Sequence, residues 1–151
     1  MLERDATEFE VFAGDARPRL VRALAPVRGD DALEGAAEAL AYAWEHWSVI
    51  REMDNPLGYL YRVGQSRTRR RRAPLLREPE AVGLPDVEPR LIPALLRLPD
   101  TQRTAVWLVH ACQWRYAEVA EALGTSPSMV GNHVVRGLAR LRAELEVHTG
   151  A

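Results

Sequence analysis

Apolar residues recur three or four positions apart over most of this chain, and no stretch shows the strict alternation of a half-buried strand. The pattern predicts an all-α protein. Phe9, Phe12, Ala16, Leu20 and Leu24 give a first helical stretch one apolar face, with Pro18 placed to split it in two. Over 31–47, Leu33, Ala37, Leu40, Trp44 and Trp47 form a second stripe, which assigns both tryptophans to the core. Glu34, Glu38 and Glu45 fall on a neighbouring, wetter face, and Asp30 or Asp31 stands where a cap is needed. Asn55-Pro56 reads as an N-cap followed by proline at the first helical position. Leu57, Leu60, Tyr61 and Gly64 then trace the inner face of a helix that runs to about Arg72 and stops before Pro74.

Proline next interrupts the pattern. Pro74, Pro79, Pro85, Pro89 and Pro93, with Gly83 among them, exclude a long helix or a central strand over 73–93. The expected organisation is two small helical domains, 1–73 and 91–151, joined by a Pro-rich linker at 74–90. In the second domain, Leu91 to Leu98 is a short helix. Pro99-Asp100 opens another that offers Ala105, Val106, Leu108, Val109 and Cys112 to the core. A third, from Tyr116, ends at Gly124, where the chain needs a left-handed turn. Thr125-Ser126-Pro127 supplies a cap and a first-turn proline for a last helix reaching about Val147, with Val130, Val134, Leu138, Leu141 and Leu145 inside.

Helix, glycine-containing turn and capped helix together make the helix-turn-helix pattern. Ala120 is small where the two helices cross, Val119 and Leu123 pack the first, and Val130 and Val134 pin the second. Ser128, Met129, Asn132, His133 and Arg136 are left facing outward, with Ser126 at the helix start. Asparagine pairs with adenine edges, arginine with guanine edges, and serine with phosphate or base. The same pattern also suits a helical hairpin that packs on a protein partner.

Charge sharpens this picture. The 151 residues carry 20 basic and 21 acidic side chains, and every basic one is arginine. Their distribution is uneven. Residues 1–61 hold 6 Arg and 12 acids, a net of −6, whereas 62–77 hold 7 Arg and no acid, a net of +7. The run Arg67-Thr68-Arg69-Arg70-Arg71-Arg72 ends a helical pattern, where a nucleic-acid contact offsets the mutual repulsion of like charges. A solvated tail is the plainer meaning of such a run.

Other classes find little support. No run of about 18 apolar residues suggests a spanning helix, and the charged start Met1-Leu2-Glu3-Arg4-Asp5 carries no secretory signal. One cysteine, Cys112, builds no disulfide framework and fits a reducing cytoplasm. It reads as an inert core thiol, and His110 as a surface residue. His110 and Cys112 fall short of the four ligands of a zinc site, and no glycine-rich phosphate loop is present. The chain is therefore expected to be a cytoplasmic protein that is no enzyme and needs no cofactor or metal.

Three segments of the second domain resemble region four of a bacterial RNA polymerase sigma factor. They are Leu98-Pro99-Asp100-Thr101-Gln102-Arg103-Thr104-Ala105-Val106, then Glu118-Val119-Ala120 with Leu123-Gly124, then Arg136-Gly137-Leu138-Ala139-Arg140-Leu141-Arg142. Asp31-Ala32-Leu33-Glu34, Trp44 and Asn55-Pro56-Leu57-Gly58-Tyr59-Leu60 running into the arginines resemble region two. Two regions in this order, without a region three, are similar to the extracytoplasmic-function (ECF) group. The resemblance implies core RNA polymerase and promoter DNA as partners, with an anti-sigma factor as a further candidate. It implies polymerase docking through Asp31, Glu34, Glu38 and Glu45, where an acidic stripe suits a basic partner. It implies minus-ten recognition through Tyr59, Tyr61, Arg62, Gln65, Arg67, Arg69 and Arg70. There arginines hold phosphates and aromatics stack on an unpaired base, although core packing suits Tyr59 and Tyr61 equally well. It implies minus-thirty-five recognition through Ser126, Ser128, Met129, Asn132, His133 and Arg136.

The chain also departs from the family. Ala37 stands where a glutamine is common, and Ser128, Met129 and Gly131 replace a Gly-Thr pair and a basic residue. Two other readings therefore stay open: a stand-alone helix-turn-helix regulator, and a sigma-like interaction protein without initiation activity. On the sigma reading, replacing Arg67, Arg69 and Arg70 with alanine weakens promoter opening and spares polymerase binding. Three lost phosphate contacts flatten the slope of log affinity against log salt by roughly 2–3, and an unchanged slope removes these arginines from the interface.

Overall fold

A computed structural model describes residues 2–68 and 90–149. The chain divides into two compact units, Met1–Pro74 and Leu75–Ala151. All regular structure among the described residues is helical.

In the first unit α1 runs from Leu2 to Arg28 without a break. Pro18 does not split it, contrary to the expectation from sequence. Pro18 and Gly14, whose carbonyl loses its helical partner, are both exposed, a position where solvent rather than the core faces that carbonyl. Ala16, Leu20, Ala23 and Leu24 are buried and form the inner face. A short 3-10 turn at Gly29–Asp31 leads into α2, Ala32–Glu45, and neither aspartate makes the expected cap: Asp31 occupies the N-cap position without a side-chain hydrogen bond. The brief α3, Trp47–Ile50, precedes α4, Pro56–Thr68. The Asn55 Oδ1 accepts the Gly58 N–H at 3.0 Å, which makes Asn55 the N-cap that the sequence predicts. The expected extension of α4 to Arg72, with Arg69 and Arg70, lies outside the described residues.

The buried face of α2 differs from the predicted stripe. Ala32, Gly35, Ala36, Ala39, Leu40 and Ala43 point inward. Leu33 is 63% exposed and Trp44 44% exposed, and Ala37 is exposed as well. Of the predicted stripe, only Leu40 and Trp47 belong to the core. The reason is the distance between backbones. A Cβ on Gly64 would lie 2.9 Å from the Gly35 carbonyl oxygen, and one on Gly35 would lie 3.2 Å from side-chain carbons of Leu24 and Thr68. Helices this close bury small residues and turn large ones outward. Arg28 secures the same corner. Its guanidinium donates to the Thr68 hydroxyl at 2.9 Å and to the Gln65 carbonyl at 3.0 Å, and Thr68 donates to the Gly64 carbonyl at 2.7 Å. On the far side Arg51 bridges Asp5 at 3.1 Å and Glu8 at 2.8 Å, tying the segment after α3 to α1.

The second unit holds α5, Leu91–Leu96, α6, Asp100–Val106, α7, Tyr116–Leu123, and α8, Pro127–Thr149. A π-helical turn at Trp107–Ala111 extends α6, and Gln113 after it takes a positive φ of 59°. No sequence signal marks this turn. Trp107 and Leu108 are buried there, while Val109 and Cys112 are only half-buried, so Cys112 is not the core thiol expected. Arg103 is buried and pairs with Asp100, and it donates to the Leu96 carbonyl at 3.2 Å. α8 crosses α6 at Gly137, where a Cβ would lie 2.6 Å from the Val106 Cγ2.

Two glycine replacements separate contact from propensity. In Gly64→Ala the new methyl meets backbone, which cannot yield. Overpacking outweighs the gain of about 1 kcal/mol in helix propensity, for a net loss of about 1–2 kcal/mol in urea unfolding. In Gly131→Ala the methyl meets the Tyr116 ring at 3.4 Å, an ordinary contact, and stability rises by about 0.5–1 kcal/mol. Equal shifts in the two variants would refute the backbone contact between α2 and α4.

Candidate functional site

Two surfaces carry the residues that the sequence singles out. The first lies in the helix-turn-helix of the second unit. α7 ends at Gly124, which takes left-handed angles of φ 67° and ψ 38°, and the Thr125 N–H bonds the Ala120 carbonyl at 2.9 Å. The Ser126 Oγ accepts the Met129 N–H at 3.2 Å. Ser126 therefore caps α8, and its O–H remains available as a donor. Val119, Ala120, Val130 and Val134 are buried and join the two helices, as their spacing predicts. Leu123 is half-buried, and Ala122 shares its packing role.

The outer face of α8 presents Ser128, Met129, Asn132 and Arg136, all exposed, with His133 half-exposed beside them. Asn132 Nδ2 lies 4.0 Å from the Met129 sulfur, one turn away. Tyr116 joins this surface from α7. Its ring is 42% exposed and packs toward Gly131, a neighbour that sequence reasoning missed. An exposed aromatic at a helix start was the available signal. No acidic residue occurs between Pro127 and Ala143, so the face suits a polyanion.

The second surface lies in the first unit, on α2 and α4. Along α2, Asp31, Glu34 and Glu38 are half-exposed and Glu45 is exposed. They flank the outward row of Leu33, Ala37 and Trp44. Trp44 also packs against Phe9 of α1, with ring centroids 5.2 Å apart. On α4, Arg62 and Arg67 are exposed and Tyr59 and Gln65 half-exposed, whereas Tyr61 is fully buried. Core packing is thus the reading its position supports for Tyr61, and base stacking the one open to Tyr59.

An aromatic cluster joins the two helices. The Tyr42 and Tyr59 hydroxyls are 3.1 Å apart, the His46 ring stacks on Tyr42 at 4.1 Å, and the Arg67 guanidinium stands 5.8 Å over the Tyr42 ring. Tyr42 and His46 were not singled out from sequence. The hydrogen bond to Tyr59, with burial and the second phenol adding to it, pushes the Tyr42 phenol above its ordinary value, against a smaller opposing pull from Arg67. Among the described residues no group of three or more His, Cys, Asp or Glu is placed to hold a metal ion, and no helix is long and apolar enough to cross a membrane.

Residues 90–141 match the family model for sigma-70, region 4. The whole chain is 32% identical over 160 residues to an RNA polymerase sigma-E factor of Streptomyces antibioticus, covering 97% of this chain and 89% of that protein. An RNA polymerase sigma-E factor of Streptomyces avermitilis gives the same identity and coverage. The chain belongs to the RNA polymerase sigma factors, in the ECF group. The fold of this sigma factor is similar to that of the sigma factor RpoE from Bartonella quintana, solved in complex with the anti-sigma factor NepR. The TM-score is 0.69 at 21% identity, covering 94% of this chain and 96% of that one. The likeness to the Streptomyces proteins spans both units of the sigma factor, which a stand-alone helix-turn-helix regulator does not explain.

Titration tests the tyrosine pair. In Tyr59→Phe, Tyr42 loses its main perturbing partner, and its ionisation, followed by phenolate absorbance, moves down toward the ordinary value near 10. Folding raises this value, so the neutral phenol is the form the fold favours. The stabilisation is complete below a pH of about 10 and vanishes as pH climbs through the raised value. A Tyr42 ionisation midpoint that is the same in wild type and in Tyr59→Phe would show that the hydroxyls do not meet in solution.

Proposed function

We propose that this sigma factor binds core RNA polymerase, directs it to a subset of promoters and opens them, without catalysing a covalent step itself. The observation that carries this reading is identity to sigma-E factors over 97% of the chain, a span that includes both surfaces. The acidic row Asp31, Glu34, Glu38 and Glu45 serves as the polymerase-docking face. The outward Leu33, Ala37 and Trp44 add an apolar centre to that face, the usual arrangement of a protein interface. Tyr59, Arg62, Gln65 and Arg67 serve the minus-ten element, with Arg69 and Arg70 continuing the row in sequence. Ser128, Met129, Asn132, His133 and Arg136 serve the minus-thirty-five element. Residues 74–90 act as the tether between two weak reading heads, so that each raises the effective concentration of the other at the promoter. The work belongs in the cytoplasm, where polymerase and DNA are. An anti-sigma factor is a fitting further partner, because the structurally similar RpoE was solved with one.

A second reading, a sigma-like protein that holds polymerase without initiating, draws on the recognition helix. Met129 and Gly131 stand where the family carries a threonine hydroxyl and a positive charge, and Ser128 brings a hydroxyl one position earlier.

Co-purification with core polymerase followed by run-off transcription decides between these readings. Wild-type protein is expected to bind core and give promoter-dependent transcripts. Glu34→Arg with Glu38→Arg is expected to lower core affinity by roughly tenfold or more while the protein stays folded. Binding without transcripts supports the second reading, and absence of core binding by folded wild-type protein overturns both.

A further inference from the structure

Glu38, Tyr42 and His46 stand four residues apart along one line of the α2 face and its C-cap. The docking row therefore runs directly into the aromatic cluster. Within that cluster Tyr42 is the shared member. Its hydroxyl meets the Tyr59 hydroxyl at 3.1 Å, its ring lies 6.1 Å from the Tyr59 ring, and Arg67 sits over it at 5.8 Å. Tyr59 and Arg67 are two turns apart on α4, and each meets Tyr42 of α2. His46 is exposed, and its Nδ1 lies 3.0 Å from the Tyr42 carbonyl oxygen, which keeps the ring stacked on Tyr42.

We propose that Tyr42 is a positioning residue for minus-ten recognition: from the polymerase-docking helix it holds Tyr59 and Arg67 of α4 in one fixed arrangement, in which Tyr59 stacks on an unpaired base and Arg67 takes the adjoining phosphate. The inference rests on the promoter-opening role proposed above. The chemistry suits a melted strand. A phenol ring is a sequence-tolerant stacking platform, and a guanidinium beside it neutralises the backbone. Rotamer freedom is what weakens such a contact, since ordering an exposed arginine and tyrosine on binding has an entropic cost. Tyr42 meets that cost in advance, with a hydroxyl bond to one group and a cation–π contact to the other. Because Tyr42 and the docking carboxylates share α2, polymerase binding and strand capture act on the same rigid element.

The test uses the full chain assembled with core polymerase. Wild-type holoenzyme first selects its promoter from a duplex DNA pool randomised across both elements. The enriched sequence, prepared with its minus-ten segment unpaired, is the probe. Tyr42→Ala is expected to weaken probe binding about tenfold, the size of one lost base–aromatic stack. Tyr42→Phe keeps the ring beneath Arg67 and loses only the hydroxyl bond, for a loss of about threefold. In a Tyr59→Ala, Arg67→Ala background the further change Tyr42→Ala costs less than about twofold, because Tyr42 acts through those two groups. Core affinity stays at the wild-type value throughout.

Wild-type probe binding by Tyr42→Ala overturns the inference. So does a full additive loss in the double-variant background, or a parallel loss of core affinity, either of which makes Tyr42 a packing residue of α2. If Tyr42→Ala does not fold, Tyr42→Phe decides, and unchanged probe binding by it overturns the inference. A wild-type holoenzyme that selects no sequence defeats the proposed function, and this inference falls with it. Selection by wild type with an indifferent Tyr42 variant defeats this inference alone.

Discussion

The first unit depends on two backbones touching. α2 and α4 approach so closely that a Cβ on Gly64 would lie 2.9 Å from the Gly35 carbonyl oxygen, and the inward and outward faces of α2 follow from that approach. Apart from Leu40, small residues line the buried side of α2, and Leu33 and Trp44 share the outside with its carboxylates. The same approach brings Tyr42, two turns along α2 from Gly35, into reach of Tyr59 on the antiparallel α4. Arg28 closes the far end by binding the Gln65 carbonyl and the Thr68 hydroxyl. That corner also gives the carbonyl end of α4 a positive partner just before the arginine run begins.

In the second unit the dominant constraint is angular. Gly124 turns the chain with a left-handed conformation, and Ser126 starts the next helix two residues later. The angle between α7 and α8 follows from this turn and from the buried Val119, Ala120, Val130 and Val134. The exposed row from Ser128 to Arg136 is thereby held on a helix whose opposite side is locked into the core. A row held in this way meets a partner without the entropic cost of ordering its own backbone.

Much of this was legible in the sequence, and the failures share a cause. Turn chemistry is local, so Asn55-Pro56, Gly124 and Ser126-Pro127 announced their roles correctly. Large apolar residues at helical spacing located the inner faces of α4 and α8 for the same reason. The α2 stripe failed because its core, apart from Leu40, is alanine and glycine. Those residues carry little hydrophobic signal, while Leu33 and Trp44, which carry much, face outward. Pro18 misled because the cost of proline inside a helix falls when the orphaned carbonyl is wet. Tyr42 escaped notice because its partners lie 17 and 25 residues away, across a helix crossing that no local pattern encodes, and His46 because it stacks on Tyr42. The π-turn at Trp107–Ala111 likewise arises from tertiary packing, with Trp107 and Leu108 drawn into the core.

The outward turn of Trp44 has an optical consequence. Of the four indoles in the chain, Trp47, Trp107 and Trp114 are buried at 9%, 4% and 5% exposure, and Trp44 alone stands 44% exposed. Three chromophores therefore emit from apolar surroundings, and one emits from the wet face of α2. A partner that covers that face shifts the emission of Trp44 to shorter wavelength and shields it from aqueous quenchers, while the buried three hold steady. The native sequence thus carries its own fluorescent reporter of whether the α2 surface is covered.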